Sequence, residues 1–250
     1  MNDDNIIPFR KKLSAGTSQG TVKAYPPMFN IPPVTKILLA LMVIIHASLY
    51  LLDKFAIPDL MNIVTVYGGF IPASWMGAAP FLWSTILTPF TYTFLHGSWL
   101  HVLVNTVMFL TGGAALERWT GAKRMCLIFF ISSLAAAFSH FLLAPSSMMP
   151  VVGASGGISG LFGALLAKIQ TTQGRRTGKW GMWPIILVWV GISAIFGFMG
   201  SPDGLPVAWI AHIGGFLCGI VMVKFMKPVV PSIPAQAQTA NPPSNPPTIH

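Results

Sequence analysis

Apolar residues gather into six stretches set apart by polar or charged segments, near 34–52, 97–116, 122–143, 155–170, 183–200 and 207–226. Each approaches the ~20 residues that carry a helix across a bilayer. The pattern therefore predicts an all-α integral membrane protein, a bundle of six transmembrane helices spanning residues 34–227. Residues 1–33 are a polar N-terminal segment whose Pro26, Pro27, Pro32 and Pro33 cannot sustain a helix interior. The tail 228–250 is rich in proline and poor in large apolar residues, which predicts disorder.

Residues 53–95 form a long first outer loop that contains "GGFIPASWMGAAPFLWSTILTPFTYTF". Pro58, Pro72, Pro80 and Pro89 break it, and Trp75 and Trp83 favour a membrane interface, so the loop is expected along or partly within the outer leaflet. Reading 81–95 as a seventh span is the weaker alternative, because the stretch is short and an extra crossing would upset the charge pattern.

Charged residues make up only 8% of the chain and apolar ones 53%, against about 25% charged in a soluble domain. The net charge of +9 would suit nucleic acid, but its distribution argues otherwise. Arg10, Lys11, Lys12, Lys23 and Lys36 precede the first span, and Arg118, Lys123 and Arg124 fall between the second and third. Lys168, Arg175, Arg176 and Lys179 lie between the fourth and fifth, and Lys224 and Lys227 end the sixth. Lys54 alone falls in an opposite-side loop. Excess Lys and Arg mark cytoplasmic loops, so both termini are expected in the cytoplasm and no nucleic-acid partner is expected. An odd number of spans would put the two basic ends on opposite sides.

The first apolar run is long and lacks an A-x-A cleavage pattern, so it is expected to remain as an anchor. Cys126 and Cys218 fall inside predicted spans and read as buried free thiols. No organellar transit pattern stands out, since Asp3 and Asp4 offset the Arg10–Lys12 cluster; a bacterial plasma membrane is the simplest placement.

The topology also assigns depths to polar side chains. His101 and Asn105, four residues apart on one helix face, lie in the first turns of the second span. Ser155 stands at the outer mouth of the fourth, where helix N-terminal amides lack partners. His212 lies ~8 Å below the outer edge of the sixth. Polar groups inside membrane spans commonly face a bundle interior and mark function. Gly156 with Gly160, and Gly215 with Gly219, are small-xxx-small pairs that allow helix backbones to approach. Each feature has a plain reading: a glycine-rich packing helix, a histidine in an interhelical hydrogen bond, an asparagine joining two helices. Their shared depth favours a hydroxyl nucleophile with an imidazole base. Asp53, Asp59 and Asp203 belong to outer loops and Glu117 to the opposite end, so a Ser–His dyad is expected rather than a triad. Asn105, His101 and the Ser155 amide are the candidate oxyanion donors.

"HGSWLHVLVN" (96–105), "ALERWTG" (115–121), "GASG" (153–156) and "AHIGGFLCG" (211–219) together resemble the signature set of the rhomboid family of intramembrane serine proteases, in the family's order. The resemblance implies Ser155 as nucleophile, His212 as general base, and Asn105 and His101 as oxyanion donors. It also implies His96 lining a water-accessible cavity, Gly153 shaping the oxyanion hole, and Glu117 with Arg118 as a structural pair. Its substrates would be single-span or multi-span membrane proteins within the lipid bilayer. Many members carry a Trp-Arg pair that positions the first outer loop; here Trp83 is followed by Ser84.

The rival class is non-proteolytic, either a small-solute transporter or an inactive relative that binds membrane helices. The spans show no internal repeat, and both Ser155 and His212 are present, which favours the enzyme. No H-E-x-x-H helix occurs, so neither metal nor other cofactor is expected.

Overall fold

Proline can open a helix but not continue one, and the first long helix, α1 (Pro33–Phe55), starts on the second residue of the Pro32–Pro33 pair. The computed structural model describes residues 30–172, 181, 183–199 and 208–226. The lead-in up to residue 29, the basic residues Arg175, Arg176, Lys179 and Lys227, and the Pro-rich tail lie outside the described residues. After α1 come three short helices, α2 (Leu60–Gly68), α3 (Pro72–Trp75) and α4 (Thr88–Thr91). Five long ones follow: α5 (Trp99–Thr120), α6 (Ala122–Leu143), α7 (Ser155–Thr172), α8 (Trp183–Met199) and α9 (Trp209–Phe225). Among the described residues, the six long helices coincide with the six apolar stretches, and the only extended pairing is an isolated bridge.

The largest boundary difference is in α5, which runs from Trp99 to Thr120 rather than over 97–116. Ser98 sets its start, with Oγ accepting from the His101 amide at 3.1 Å. Arg118 favours the negative C-terminal end of the helix dipole. Gly121, at φ +85°, is the single residue that ends α5 and begins α6. Arg118, Lys123 and Arg124 therefore stand on helix ends, not in the expected loop.

α1, α5 and α6 are long and apolar enough to cross a membrane; α9 and the Ile186–Ile195 part of α8 are apolar but shorter. α7 is outside this set. It is glycine-rich and sits at the centre, packed on α5, α6 and α9, so its sides meet protein rather than lipid. Its partners include Phe109, Phe129 and Phe216, all fully buried in the main core cluster.

No long helix forms across 56–98, so the seventh-span alternative gives way to α2, α3, α4 and two 3₁₀ turns, Trp83–Leu87 and Tyr92–Phe94. This loop exposes Ile63, Val66, Trp75, Met76, Phe81 and Phe90, and Trp83 is 78% exposed while Ser84 is buried. Its apolar surface is what an interfacial segment presents. The loop is tied to the stretch before α7 where Phe70 and Val151 exchange backbone hydrogen bonds of 3.0 and 2.8 Å.

Two helix pairings hold the frame. α1 buries Thr35, Leu38, Met42 and His46, an i, i+3, i+7, i+11 stripe, against its neighbours. Its first-turn amides have no local side-chain cap. Glu117 of α5 supplies one, accepting from Val34 N at 3.1 Å, Thr35 N at 2.7 Å and Thr35 Oγ1 at 2.6 Å. A carboxylate there satisfies orphan donors and complements the positive helix end. α7 and α9 instead meet through bare backbone. A Cβ at Gly215 would fall on the Gly156 carbonyl oxygen, and one at Gly219 on that of Gly160. The expected small-residue pairs thus face each other, and Gly163 adds a contact with the Phe216 carbonyl. Cys126 and Cys218 are free thiols, only partly buried.

Candidate active site

Ser155 opens α7, and the residues before it are held at three points. Val151 is in the bridge with Phe70, the Gly153 amide donates to the Tyr92 carbonyl at 2.9 Å, and Ala154 accepts the first α7 hydrogen bond from Ile158 at 2.9 Å. Tyr92 is itself anchored, its hydroxyl donating to the Ser133 carbonyl of α6 at 2.7 Å. Gly153 has φ +115°, a conformation that penalises any side chain. A Cβ there would also stand 2.7 Å from His101 Nε2 and 3.8 Å from Asn105 Nδ2. The glycine therefore lets the α5 polar pair lie against the turn that leads into the serine.

His212 lies in the first turn of α9, three residues before Gly215, while Ser155 directly precedes Gly156. The contact of Gly215 with the Gly156 carbonyl sets the two helix ends side by side. His212 Nε2 is 2.8 Å from Ser155 Oγ, and both side chains are half-buried. An imidazole nitrogen at that distance is within reach to take the hydroxyl proton.

The three described carboxylates are committed elsewhere. Asp53 accepts from Met61 N at 3.0 Å, Asp59 from Asn62 Nδ2 at 2.5 Å, and Glu117 caps α1. Asn105 is buried, and its Nδ2 donates to the His101 carbonyl at 2.9 Å. His96 is buried at 3% exposure in the loop before α5, its ring 5.2 Å from that of His101 at a steep angle. Burial, followed by the neighbouring His101 and His46, pushes the His96 imidazole down to about 3, so it is neutral near neutral pH.

The sequence-predicted residues thus fall into two touching groups. Ser155 and His212 are paired directly, while His101 and Asn105 abut Gly153, with His96 behind His101. Three supporting residues escaped the sequence reading. Ser98 could have been found as an N-cap ahead of an apolar helix, and His46 as a lone polar residue in an apolar run. Tyr92 carries no local signal, since its partners lie far along the chain.

Long apolar helices around a buried polar cluster, with a serine and a histidine in contact on adjoining helices, mark a helical integral membrane protein. Residues 83–228, more than half of the chain, match the Rhomboid domain model. The chain belongs to the rhomboid family. It is 30% identical over 137 residues to Rhomboid protease GluP of Bacillus subtilis (strain 168), covering 55% of this chain and 25% of that protein. Putative rhomboid protease YdcA of the same organism is 27% identical over 154 residues, covering 60% of this chain and 70% of the relative. RHOMBOID-like protein 5 of Arabidopsis thaliana is 29% identical over 128 residues, covering 51% of this chain and 40% of the relative.

Proposed function

We propose that the protein is an intramembrane serine endopeptidase that cleaves peptide bonds in or near transmembrane segments of other membrane proteins. The observation that carries this reading is the 2.8 Å separation of His212 Nε2 and Ser155 Oγ. Names of similar proteins such as Rhomboid protease GluP and Rhomboid-like protease 3 of Toxoplasma gondii support it.

In this reading Ser155 Oγ attacks the scissile carbonyl as its proton passes to His212. The imidazolium then protonates the leaving amine, and water, activated by the same imidazole, clears the acyl-enzyme. Negative charge on the tetrahedral oxygen is met by Asn105, His101 and the Ser155 amide, with Gly153 providing their common approach. Water enters from the outer face beside His101. An intact substrate helix hides its carbonyls, so segments with small or helix-breaking residues are the preferred substrates. All six long helices would cross the membrane with both termini in the cytoplasm, in a bacterial-type plasma membrane. The substrate arrives laterally, past α8 and the first outer loop.

The test is mass-spectrometric mapping of a fluorophosphonate on detergent-purified protein, alongside proteolysis of a model transmembrane substrate in proteoliposomes. Label confined to Ser155, with label and cleavage both lost in Ser155→Ala and His212→Ala, is expected. Folded wild-type protein that takes no label and cleaves nothing would leave the chain a membrane-helix binder.

A further inference from the structure

The proposed chemistry leaves one buried imidazole without a task. His46 lies midway along α1 at 2% exposure, and neither ring nitrogen has a hydrogen-bond partner, although the His96 backbone carbonyl stands nearby. A buried polar group without partners costs free energy, and a leucine or phenylalanine would fit an apolar helix without that cost. Such a residue calls for a reason beyond packing.

Its neighbours supply one. The His46 ring meets Trp99, the first residue of α5, at 4.7 Å and 89°, and His96 at 6.4 Å and 90°. His96, whose ring nitrogens also have no hydrogen-bond partner, meets His101 at 5.2 Å and 76°. His101 Nε2 in turn lies against Gly153. Three histidines from α1, the loop and α5 thus run as near-perpendicular rings from the far side of α5 to the turn before Ser155. The final torsion of an imidazole is broad, so the backbone alone does not fix which edge it presents. Perpendicular rings do, because the positive edge of one, its N–H above all, seeks the electron-rich face of the next.

We propose that His46 is a positioning residue: the imidazole of α1 orients His96 and, through it, the His101 ring that faces the reacting carbonyl. The proposal rests on the reading of His101 as an oxyanion donor. What His46 contributes is its polar edge, not its bulk, so a phenyl ring cannot replace it.

His46→Phe in the full chain is the decisive variant, because it keeps a planar ring and suits a membrane helix better than imidazole. In proteoliposomes it should unfold at the same or a higher temperature than wild type, while kcat falls about ten- to a hundredfold, the scale expected of a misplaced catalytic group. KM should stay within about twofold, since substrate docking is untouched. The imidazole 15N signals of His101, assigned by their loss in His101→Asn, should move. Met42→Ala removes a fully buried side chain from the same face of α1 and should lower stability without lowering kcat at temperatures where it is folded. A kcat for His46→Phe within about twofold of wild type would overturn the proposal. So would unmoved His101 signals, or an equal loss of kcat in Met42→Ala. Should wild type show no Ser155-dependent cleavage, the protease reading fails by itself. The His101 signals then decide the coupling: movement upholds it and no movement overturns it.

Discussion

Helices α7 and α9 approach through backbone, glycine against carbonyl, whereas α1 and α5 meet through side chains at both ends. In a bilayer no hydrophobic force drives helix against helix, so contact must come from close packing or from polar and aromatic links. The α7/α9 seam uses the first means. Backbone atoms have no rotamers, so the seam fixes the spacing of the two helix ends that carry Ser155 and His212, and only their side-chain torsions remain to set the 2.8 Å contact. The α1/α5 seam uses the second, with the Glu117 carboxylate on the α1 amides at one end and His46 and Tyr50 on Trp99 at the other. Where atoms must meet at bonding distance the chain uses glycine, and where two elements need only be held it uses side chains.

The largest expected effect comes from putting one methyl into the backbone seam. In Gly215→Ala the Cβ would land on the Gly156 carbonyl oxygen, and no flexible side chain can give way. Helix separation should increase, with a loss of about 3 kcal/mol in stability, the upper part of the overpacking range. Fluorophosphonate labelling of Ser155 should disappear even in the folded fraction. Gly191 of α8 is the matched control, as nothing lies within 4 Å of its Cβ position. Gly191→Ala should be neutral or gain ~0.5–1 kcal/mol from helix propensity. Similar unfolding temperatures and labelling for the two variants would break the distinction between the seams.

Glu117→Ala tests the side-chain seam. It strips the partner from two amides and one hydroxyl of α1, for an expected loss of about 2–3 kcal/mol. Glu117 is sixteen residues beyond His101 on α5, about 24 Å along the axis. The labelling rate of Ser155 should therefore be unchanged in folded protein while the unfolding temperature drops, with Glu117→Gln between the two. A labelling rate that falls with stability would mean that this seam, too, sets the dyad.

The same contrast governs what could be read from the sequence. The six long helices were legible because apolar runs of spanning length have few other fates, and the glycine pairs because small residues every four positions define a face. Ser155, His212, His101 and Asn105 were legible as polar residues at one depth. The links through Tyr92, Glu117 and His46 were not, since each joins residues 41 to 83 positions apart and nothing local encodes the partner: Tyr92 to Ser133 and Gly153, Glu117 to Thr35 and Val34, His46 to Trp99 and His96. α7 shows the converse. Its length marks a span, but it is rich in glycine and serine, because a helix packed on α5, α6 and α9 needs small residues on the sides that meet them.

The smallest expected effect lies in the histidine series that links α1 to α5, and it depends on pH. The His96 imidazole is held down at about 3 by burial, then by His101 of α5 and His46 of α1, with the Phe94 carbonyl acting weakly in the other direction. In the unfolded chain the same group titrates near its ordinary ~6.5. Between these values the unfolded state binds a proton that the folded state refuses, so stability is complete above about pH 6.5 and declines as the pH falls. The contribution should reach on the order of 1–2 kcal/mol by about pH 5. Thermal unfolding of wild type and His96→Leu across that range isolates it: the wild-type curve should fall more steeply, and the difference should vanish above neutrality. Parallel curves would mean that His96 accepts a proton in the folded state as readily as in the unfolded one. The rings around it would then form a wet, adjustable contact rather than a dry seam.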